Sequence, residues 1–309
     1  MRLSVVIPTF RRPHLLGRVL ERLEAQRGVE PGAFEVVVVR DAADDAEAAV
    51  ERAVGGRPFA VRLFTGPSPG VSATRDHGWR HAEAPLVLFI GDDMLPRPEV
   101  VAEHLAWHER EPAEEVAVLG HVRWSPELRL TPFMRWLDRG VQFDYGSIRG
   151  TEAGWGHFYA AHCSLKRGLL ERSGGFDREF RFGYEELDLA VRLRELGMRL
   201  LYNPDAVVEH LHRPTLDDWR ERMRVVARAE VQFLRKHPGS EPYFHRMFTK
   251  EMARGEEPKG RGARLAALIP PSFPWLGAKV WASVEHYYRY ELAKAFLPAW
   301  EEAQRTTVR

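Results

Sequence analysis

The first ninety residues predict an α/β domain built on a mostly parallel, doubly wound sheet, and three observations carry that reading. Continuous apolar, β-branched runs recur at residues 3–7, 34–39, 61–64 and 86–90. Such unbroken runs mark strands covered on both faces. Segments with helical spacing separate the strands, as a right-handed crossover between parallel neighbours requires. Asp41 and the pair Asp92–Asp93 fall just beyond strand ends. Open α/β sheets bind ligands in the crevice at the carboxyl ends of their strands, so these carboxylates are expected to converge there.

Taken in order, the first strand stops at Pro8 and Thr9, and Pro13 suits the first turn of a helix. Leu15, Leu16, Val19, Leu20 and Leu23 then recur at helical spacing. The second strand ends at Arg40 and Asp41, and an acidic, alanine-rich helix follows over residues 44–54. Residues 61–64 form the third strand, Gly66 to Gly70 a loop, and residues 72–82 a helix. The fourth strand stops at Gly91–Asp92–Asp93.

The middle reads as a strand at residues 116–122, a short helix at 133–137, a strand at 158–165 and a helix at 166–173 closed by Gly174–Gly175. Residues 185–197 form a helix with Leu189, Val191, Leu193 and Leu196 inside it and Gly197 as its C-cap. Short strands at 200–202 and 207–208 lead to His210 and His212. After Pro214 the texture changes. Thr215 and Asp218 form a capping box that opens a long helix with Trp219, Met223, Val226, Phe233 and Leu234 on its apolar side. A charged, glycine-rich linker spans 255–262, and a last helix over 276–303 carries Val280, Trp281, Val284, Tyr288, Leu292 and Phe296. The domain boundary is placed near residue 215, with a helical extension over 216–309. No repeat recurs at solenoid or propeller periods.

Composition narrows the function classes. Lys and Arg number 45 against 44 Asp and Glu, a formal net charge of +1. That excludes a nucleic-acid binder held by overall charge. With 44% hydrophobic and 29% charged residues the chain can bury a sizeable core. One cysteine, Cys163, excludes an internal disulfide framework and a cysteine-rich zinc module, which fits a reducing, cytoplasmic setting. No run approaches the roughly 18 apolar residues needed to span a bilayer. Arg11–Arg12 follow the first strand where a secretory signal would carry its cleavage site, so the chain is expected to be soluble and unexported.

Two carboxylates side by side at a strand end repel one another unless a cation or donor intervenes. A hard divalent metal resolves that repulsion and typically bridges substrate phosphates while keeping waters. A solvated acidic turn is the plainer alternative. Pro96 and Pro98 stiffen the chain beyond the pair.

Six fragments, in one order over about 210 residues, resemble the family-two glycosyltransferases. Val5–Val6–Ile7–Pro8–Thr9–Phe10 resembles the opening strand, and residues 36–41 the second strand with its acidic turn. Gly70 to Gly78, containing Ala73–Thr74–Arg75–Asp76, resembles the family's glycine-then-Ala-Arg-Asn-x-Gly helix. Leu88 to Asp93 followed by Pro96 resembles its DXD-type metal motif. Gly174–Gly175–Phe176–Asp177 with Glu185–Glu186–Leu187–Asp188 resembles the acceptor-side turn and helix, and Val208–Glu209–His210 the late histidine motif.

The resemblance implies the GT-A fold (Rossmann-like, a mostly parallel sheet flanked by helices), with a donor half over about residues 1–100 and an acceptor half over about 101–215. It implies an inverting, metal-dependent transfer of a sugar from a nucleoside-diphosphate sugar to an acceptor hydroxyl, whether saccharide, lipid-linked or small molecule. Mn2+ or Mg2+ would be held by Asp93 and Asp92, with His210 as a third ligand and His212 as its substitute. The general base falls on Glu186, where the family usually carries Asp, with Glu185 as the alternate. Asp188 is the structural or loop-tethering carboxylate. Asp41, Pro8 and Thr9 would line the nucleoside pocket, although Arg40 stands where the family often has its first Asp. Arg75 would support the diphosphate or orient Asp92, or else form a structural ion pair. His162 and Cys163 fall near the donor sugar, with Cys163 read as a small buried residue rather than a nucleophile.

Trp155, His157 and Tyr159 border a glycine-rich stretch read as an acceptor loop or as core aromatics. The C-terminal aromatic stripe, Trp275, Trp281, Tyr287, Tyr288 and Trp300, is expected to pack on the catalytic domain or on a second copy. Peripheral membrane contact through Arg261, Arg264, Leu265 and Leu268 is its alternative. Two rival functions stand beside this reading. A sugar-phosphate nucleotidyltransferase needs a glycine-rich loop after the first strand, which Pro8–Thr9–Phe10–Arg11–Arg12 lacks. A non-catalytic nucleotide- or carbohydrate-binding scaffold would accommodate Glu in place of Asp at 186.

Overall fold

The computed structural model describes the chain except residues 31, 259, 263–273 and 308–309, and it leaves undescribed the side chains of 274–279 and 307. Arg264, Leu265 and Leu268, and the side chain of Trp275, therefore lie outside the described residues. Two compact units form, each from several stretches of chain. The first contains Met1–Leu128, Phe143–Arg181 and Glu185–His212; the second contains Arg129–Gln142, Phe182–Tyr184 and Arg213–Arg309.

The first unit is a central mixed sheet flanked by helices. Strands β1 (Leu3–Thr9), β2 (Phe34–Arg40), β3 (Val61–Thr65) and β4 (Leu86–Ile90) are parallel and lie in the order β3-β2-β1-β4. The sheet continues through β8 (His162–Lys166), β6 (Val116–Trp124), β9 (Arg199–His210) and β5 (Met94–Pro96), while β7 (Glu152–Ala153) pairs with β9. β8 runs antiparallel to β4 and β6, and β5 and β7 run antiparallel to β9.

Successive residues of β1 go to opposite layers. Val5 and Ile7 join Leu16 and Leu20 of α1 (Pro13–Glu24), whereas Val6 joins Trp79 of α3 (Val71–His81). Both faces are apolar because both are covered, which accounts for the unbroken apolar run. Gly78 of α3 lets that helix lie directly on the sheet, since a Cβ there would fall 2.4 Å from Val6 Cγ1.

Two expectations are corrected, and one helix of this unit was not foreseen. The segments 200–202 and 207–208 belong to one strand, β9, which passes Asn203–Pro204–Asp205 through a register shift opposite Gly120 and His121. A bulge tolerates the proline that reads in sequence as a break. The strand expected at 158–165 begins only at His162, because a 3₁₀ turn at Trp155–His157 and the His162 amide bond to the Tyr159 carbonyl (3.0 Å) precede it. Helix α4 (Val100–Arg110) was not anticipated, although it buries Val100, Val101 and Leu105 at helical spacing. Helices α2 (Glu47–Val54), α6 (Arg167–Ser173) and α7 (Glu185–Glu195) complete the unit.

The second unit is helical. It holds α5 (Pro132–Leu137), α8 (Leu216–Lys236), α9 (Tyr243–Met252, also unanticipated) and a C-terminal helix, Pro274–Thr307. The expected capping box is present, with Thr215 and Asp218 bonded reciprocally. Trp219, Met223, Val226 and Phe233 are buried. Of the described aromatic side chains of the last helix, several pack within its own unit. Tyr288 packs against Phe133 and Trp136 (centroids 5.0 and 5.2 Å), Phe296 against Phe248 (5.1 Å), and Trp300 against His245 (3.8 Å). No described helix is long and apolar enough to cross a membrane.

Candidate active site at the carboxyl ends of the strands

The ends of β1, β4 and β9 meet around Asp92 and Asp93. Thr9, the last residue of β1, donates its hydroxyl to Asp92 Oδ2 at 2.9 Å, and the Phe10 amide donates to the same oxygen at 3.3 Å. Pro8 is buried just before it in β1. Arg12 Nη1 lies 2.6 Å from Asp93 Oδ2 and 3.7 Å from Asp92 Oδ1. His210, the last residue of β9, places Nε2 3.4 Å from Asp93 Oδ2 and stacks on Trp124 with ring centroids 5.0 Å apart. β5 locks this arrangement, pairing Met94 with His210, while the Leu211 amide donates to the Asp93 carbonyl at 2.8 Å. His212 lies beyond, its ring 6.0 Å from that of His210.

Both carboxylates are nearly buried, 8% exposed at Asp92 and 7% at Asp93. Burial, and then the adjacent Asp93, push the Asp92 carboxyl up to about 7 against the pull of Arg12 and the Thr9 hydrogen bond. Burial also pushes Asp93 upward, but His210 and Arg12 outweigh it and hold that carboxyl well below the usual carboxylate range. Different surroundings thus drive the two acids apart, and Asp93 retains its charge. Sequence reasoning missed Arg12. The signal was available: an acidic pair that needs a cation, and two arginines just past the neighbouring strand.

Asp41, at the end of β2, is bonded to backbone on both sides. Its Oδ2 accepts from the Gly70 amide at 2.7 Å and its Oδ1 from the Ala43 amide at 2.8 Å, while its own amide donates to the Thr9 carbonyl at 2.9 Å. Gly70 has a φ of +122°, and a Cβ there would lie 2.8 Å from the Arg181 backbone, so glycine is required where the loop meets Asp41. Arg40 ties down the loop after β2. It donates to the Asp44 carbonyl, to Glu47 at 3.0 Å and to Thr65 at 3.1 Å.

The second group of residues centres on Arg75 of α3. Its Nη1 lies 2.9 Å from Glu185 Oε1 and 2.9 Å from Glu186 Oε1, both in the first turn of α7. Its ion pairs are therefore with the glutamates and not with Asp92, because α3 delivers it to the N-terminus of α7. Glu185 is 6% exposed at the side chain and Glu186 25%, so the two neighbours differ in access. Asp188 is buried and pairs with Arg192 at 2.6 Å.

Packing links the two groups. Arg75 lies over the Phe176 ring, 5.8 Å from its centroid, and Phe176 meets Phe89 edge-on at 5.2 Å. Phe89 is three residues before Asp92 and pairs across the sheet with Cys163. Cys163 is fully buried, and burial followed by the charge of Glu186 push its thiol up. That agrees with a packing role rather than a nucleophilic one.

His162 is fully buried too. Its Nε2 contacts Nε2 of His104, on α4, at 3.0 Å. Asp76, where the resembling family has Asn, accepts from Trp79, Arg80 and Arg178 at 2.8–3.0 Å, so an acceptor-only carboxylate suits its surroundings. Trp155 carries the Arg194 guanidinium 5.1 Å above its ring, and Tyr159 packs against Phe143 at 5.2 Å.

Comparison with known proteins follows the same lines. A validoxylamine A glucosyltransferase of Streptomyces hygroscopicus subsp. limoneus is 28% identical over 274 residues, 78% of this chain and 58% of that protein. A pre-mycofactocin glycosyltransferase of Mycobacterium tuberculosis is 27% identical over 238 residues, covering 76% of this chain and 48% of its own length. This chain thus spans about half to three-fifths of these curated relatives. Among solved structures, a mannosyltransferase from Pyrobaculum calidifontis in complex with GDP-Man and Mn2+ superposes with a TM-score of 0.63 at 21% identity, covering 96% of this chain and 87% of that one. S. aureus TarS 1-349 in complex with UDP superposes with a TM-score of 0.54 at 16% identity, covering 99% and 92%. These likenesses establish a GT-A-like fold. The model of the family described as Glycosyl transferase family 2 matches residues 4–174, more than half of the 309 residues, and the chain belongs to that family.

Proposed function

We propose that this chain transfers a sugar from a nucleoside-diphosphate sugar to an acceptor hydroxyl by a single inverting displacement. One observation carries the reading. The acidic pair at the end of β4 and the Arg75–Glu185–Glu186 group belong to one unit and are joined through Phe89, Phe176 and Cys163. In this reading leaving-group and nucleophile chemistry have separate carboxylates within that one unit.

A divalent cation, Mn2+ or Mg2+, when bound, supplies positive charge to the departing diphosphate. Asp93 and Asp92 would hold it, with His210 beside Asp93. The residues present fit such an ion: two nearly buried, adjacent carboxylates offer hard oxygens. Among the described residues no three acidic, histidine or cysteine side chains form a ready ligand set. An ion that keeps waters and takes phosphate oxygens needs only one or two protein carboxylates.

Glu186 is the proton acceptor in this reading. It is partly exposed, whereas Glu185 is buried against Arg75 with its Oε2 unpartnered. As the acceptor oxygen attacks the anomeric carbon, the bond to the diphosphate breaks on the opposite face and the hydroxyl proton passes to Glu186. Base catalysis of this kind typically contributes about 10²–10⁴-fold. Pro8, Thr9 and Asp41 line the nucleoside side, with Arg75 holding the glutamates in place. The catalytic part is taken to extend to about residue 215, with a helical extension beyond it. Support for the donor class comes from the family and from the neighbour solved with GDP-Man and Mn2+.

The test is release of nucleoside diphosphate from GDP-, UDP- and dTDP-sugars with and without Mn2+ or Mg2+. Metal-dependent release from one donor class, lost in Asp93→Ala, is expected. Tight nucleotide binding without release from any donor would replace the enzyme with a binding scaffold.

A further inference from the structure

The transfer chemistry above does not use Arg12, yet its guanidinium sits on the oxygens assigned to the cation, 2.6 Å from Asp93 Oδ2 and 3.7 Å from Asp92 Oδ1. A constructed turn brings it there. Arg11, just before it, has a φ of +55°, a conformation that residues other than glycine seldom adopt. Asp44, 3% exposed, holds that turn by accepting from the Arg11 amide at 2.6 Å. Arg40 anchors Asp44 in turn by donating to its carbonyl, and braces the same loop on Glu47 and Thr65. A strained backbone held by buried partners is found where the position of a side chain matters. Here that side chain is Arg12, which is 37% exposed and long enough to swing.

Resting on the site reading above, we propose that Arg12 is a tethered counter-ion that competes with the divalent cation for Asp92 and Asp93. Metal is then held tightly only together with a nucleoside diphosphate, whose phosphates give the displaced guanidinium a new anionic partner. A guanidinium and a divalent ion cannot share the same oxygens, since like charges that close repel strongly. The planar fork of an arginine matches phosphate as well as carboxylate, so the side chain has somewhere to go. Because coupling between two ligands is reciprocal, metal and nucleotide each strengthen the other by the same factor.

The experiment measures Mn2+ alone, by the electron paramagnetic resonance signal of the free ion, on the full chain and on Arg12→Gln, Arg12→Lys and Asp93→Asn. Calorimetry then gives the factor by which Mn2+ tightens GDP or UDP. Arg12→Gln is expected to bind Mn2+ alone about tenfold more tightly, and the metal–nucleotide factor to fall by a similar amount. Arg12→Lys, which keeps the charge, should stay near the parent chain, and melting curves check that each variant folds. Equal Mn2+ affinity in Arg12→Gln and the parent, with binding lost in Asp93→Asn, overturns the counter-ion and leaves the metal reading standing. Unchanged Mn2+ binding in Asp93→Asn, or no binding by any chain, removes both.

Discussion

Thr9 Oγ1 donates to Asp92 Oδ2 at 2.9 Å, so the last residue of one central strand orients a carboxylate just past the end of its neighbour. That oxygen's other described donor is the Phe10 amide at 3.3 Å, a longer bond. Thr9→Val keeps the shape and removes the donor. It is expected to cost about 1–3 kcal/mol of unfolding free energy, the range for taking one partner from a buried acceptor. Urea melts at neutral pH measure it, and a variant as stable as the parent would show that the Phe10 amide suffices.

The two glutamates on Arg75 should separate by readout. Glu186→Gln is expected to retain donor binding and lose transfer by about 10²–10⁴-fold, the usual yield of a placed base. Glu185→Gln should act mainly on stability, since it weakens a buried pair with Arg75 and costs up to about 3 kcal/mol. Initial rates and melts of both variants decide the matter. If Glu185→Gln loses transfer while Glu186→Gln does not, the roles are exchanged.

Much of this was readable in the chain, and the reasons are physical. β1 to β4 and α1 announce themselves because covered sheet faces demand continuous apolar runs and a covered helix demands a stripe. Proline hid the continuity of β9, since nothing local reveals that Pro204 sits in a bulge. Arg12 was missed because its partner Asp93 lies 81 residues away, just as Glu185 lies 110 residues from Arg75. Asp41 read as a strand-end carboxylate, but its clasp on the Gly70 amide depends on how a loop closes over 29 residues. Local pattern fixes elements; pairings of charge across elements come only from the fold.

Three buried histidines, His104 and His108 of α4 and His162 of β8, predict acid sensitivity. His104 Nδ1 and His108 Nε2 each lie 2.8 Å from Ser164 Oγ, and His104 contacts His162. Burial lowers all three, His108 and His162 to about 3 and His104 well below its ordinary value. The unfolded chain therefore binds more protons than the folded one between about pH 6.5 and 3, and stability rises with pH across that window. Lowering the pH from 7 to 5 should remove on the order of 2 kcal/mol per histidine. Urea midpoints at the two pH values test this, and a flat profile would mean that the cluster is already charged or opens to water.

The close approach of α3 to β1 makes a prediction that needs two variants. A Cβ at Gly78 would meet Val6 Cγ1 at 2.4 Å and Val39 Cγ2 at 3.1 Å, in a layer with no slack. Gly78→Ala gains helix propensity of about 1 kcal/mol, yet overpacking of this kind costs about 1–3 kcal/mol, so a net loss is expected. Val6→Ala opens the space the new methyl needs, while on its own it leaves a cavity. The double variant should therefore be more stable than the sum of the single losses implies, by at least about 1 kcal/mol. Additive losses would mean that α3 can lift from the sheet, and transfer activity should then fall as well, because Arg75 travels with that helix.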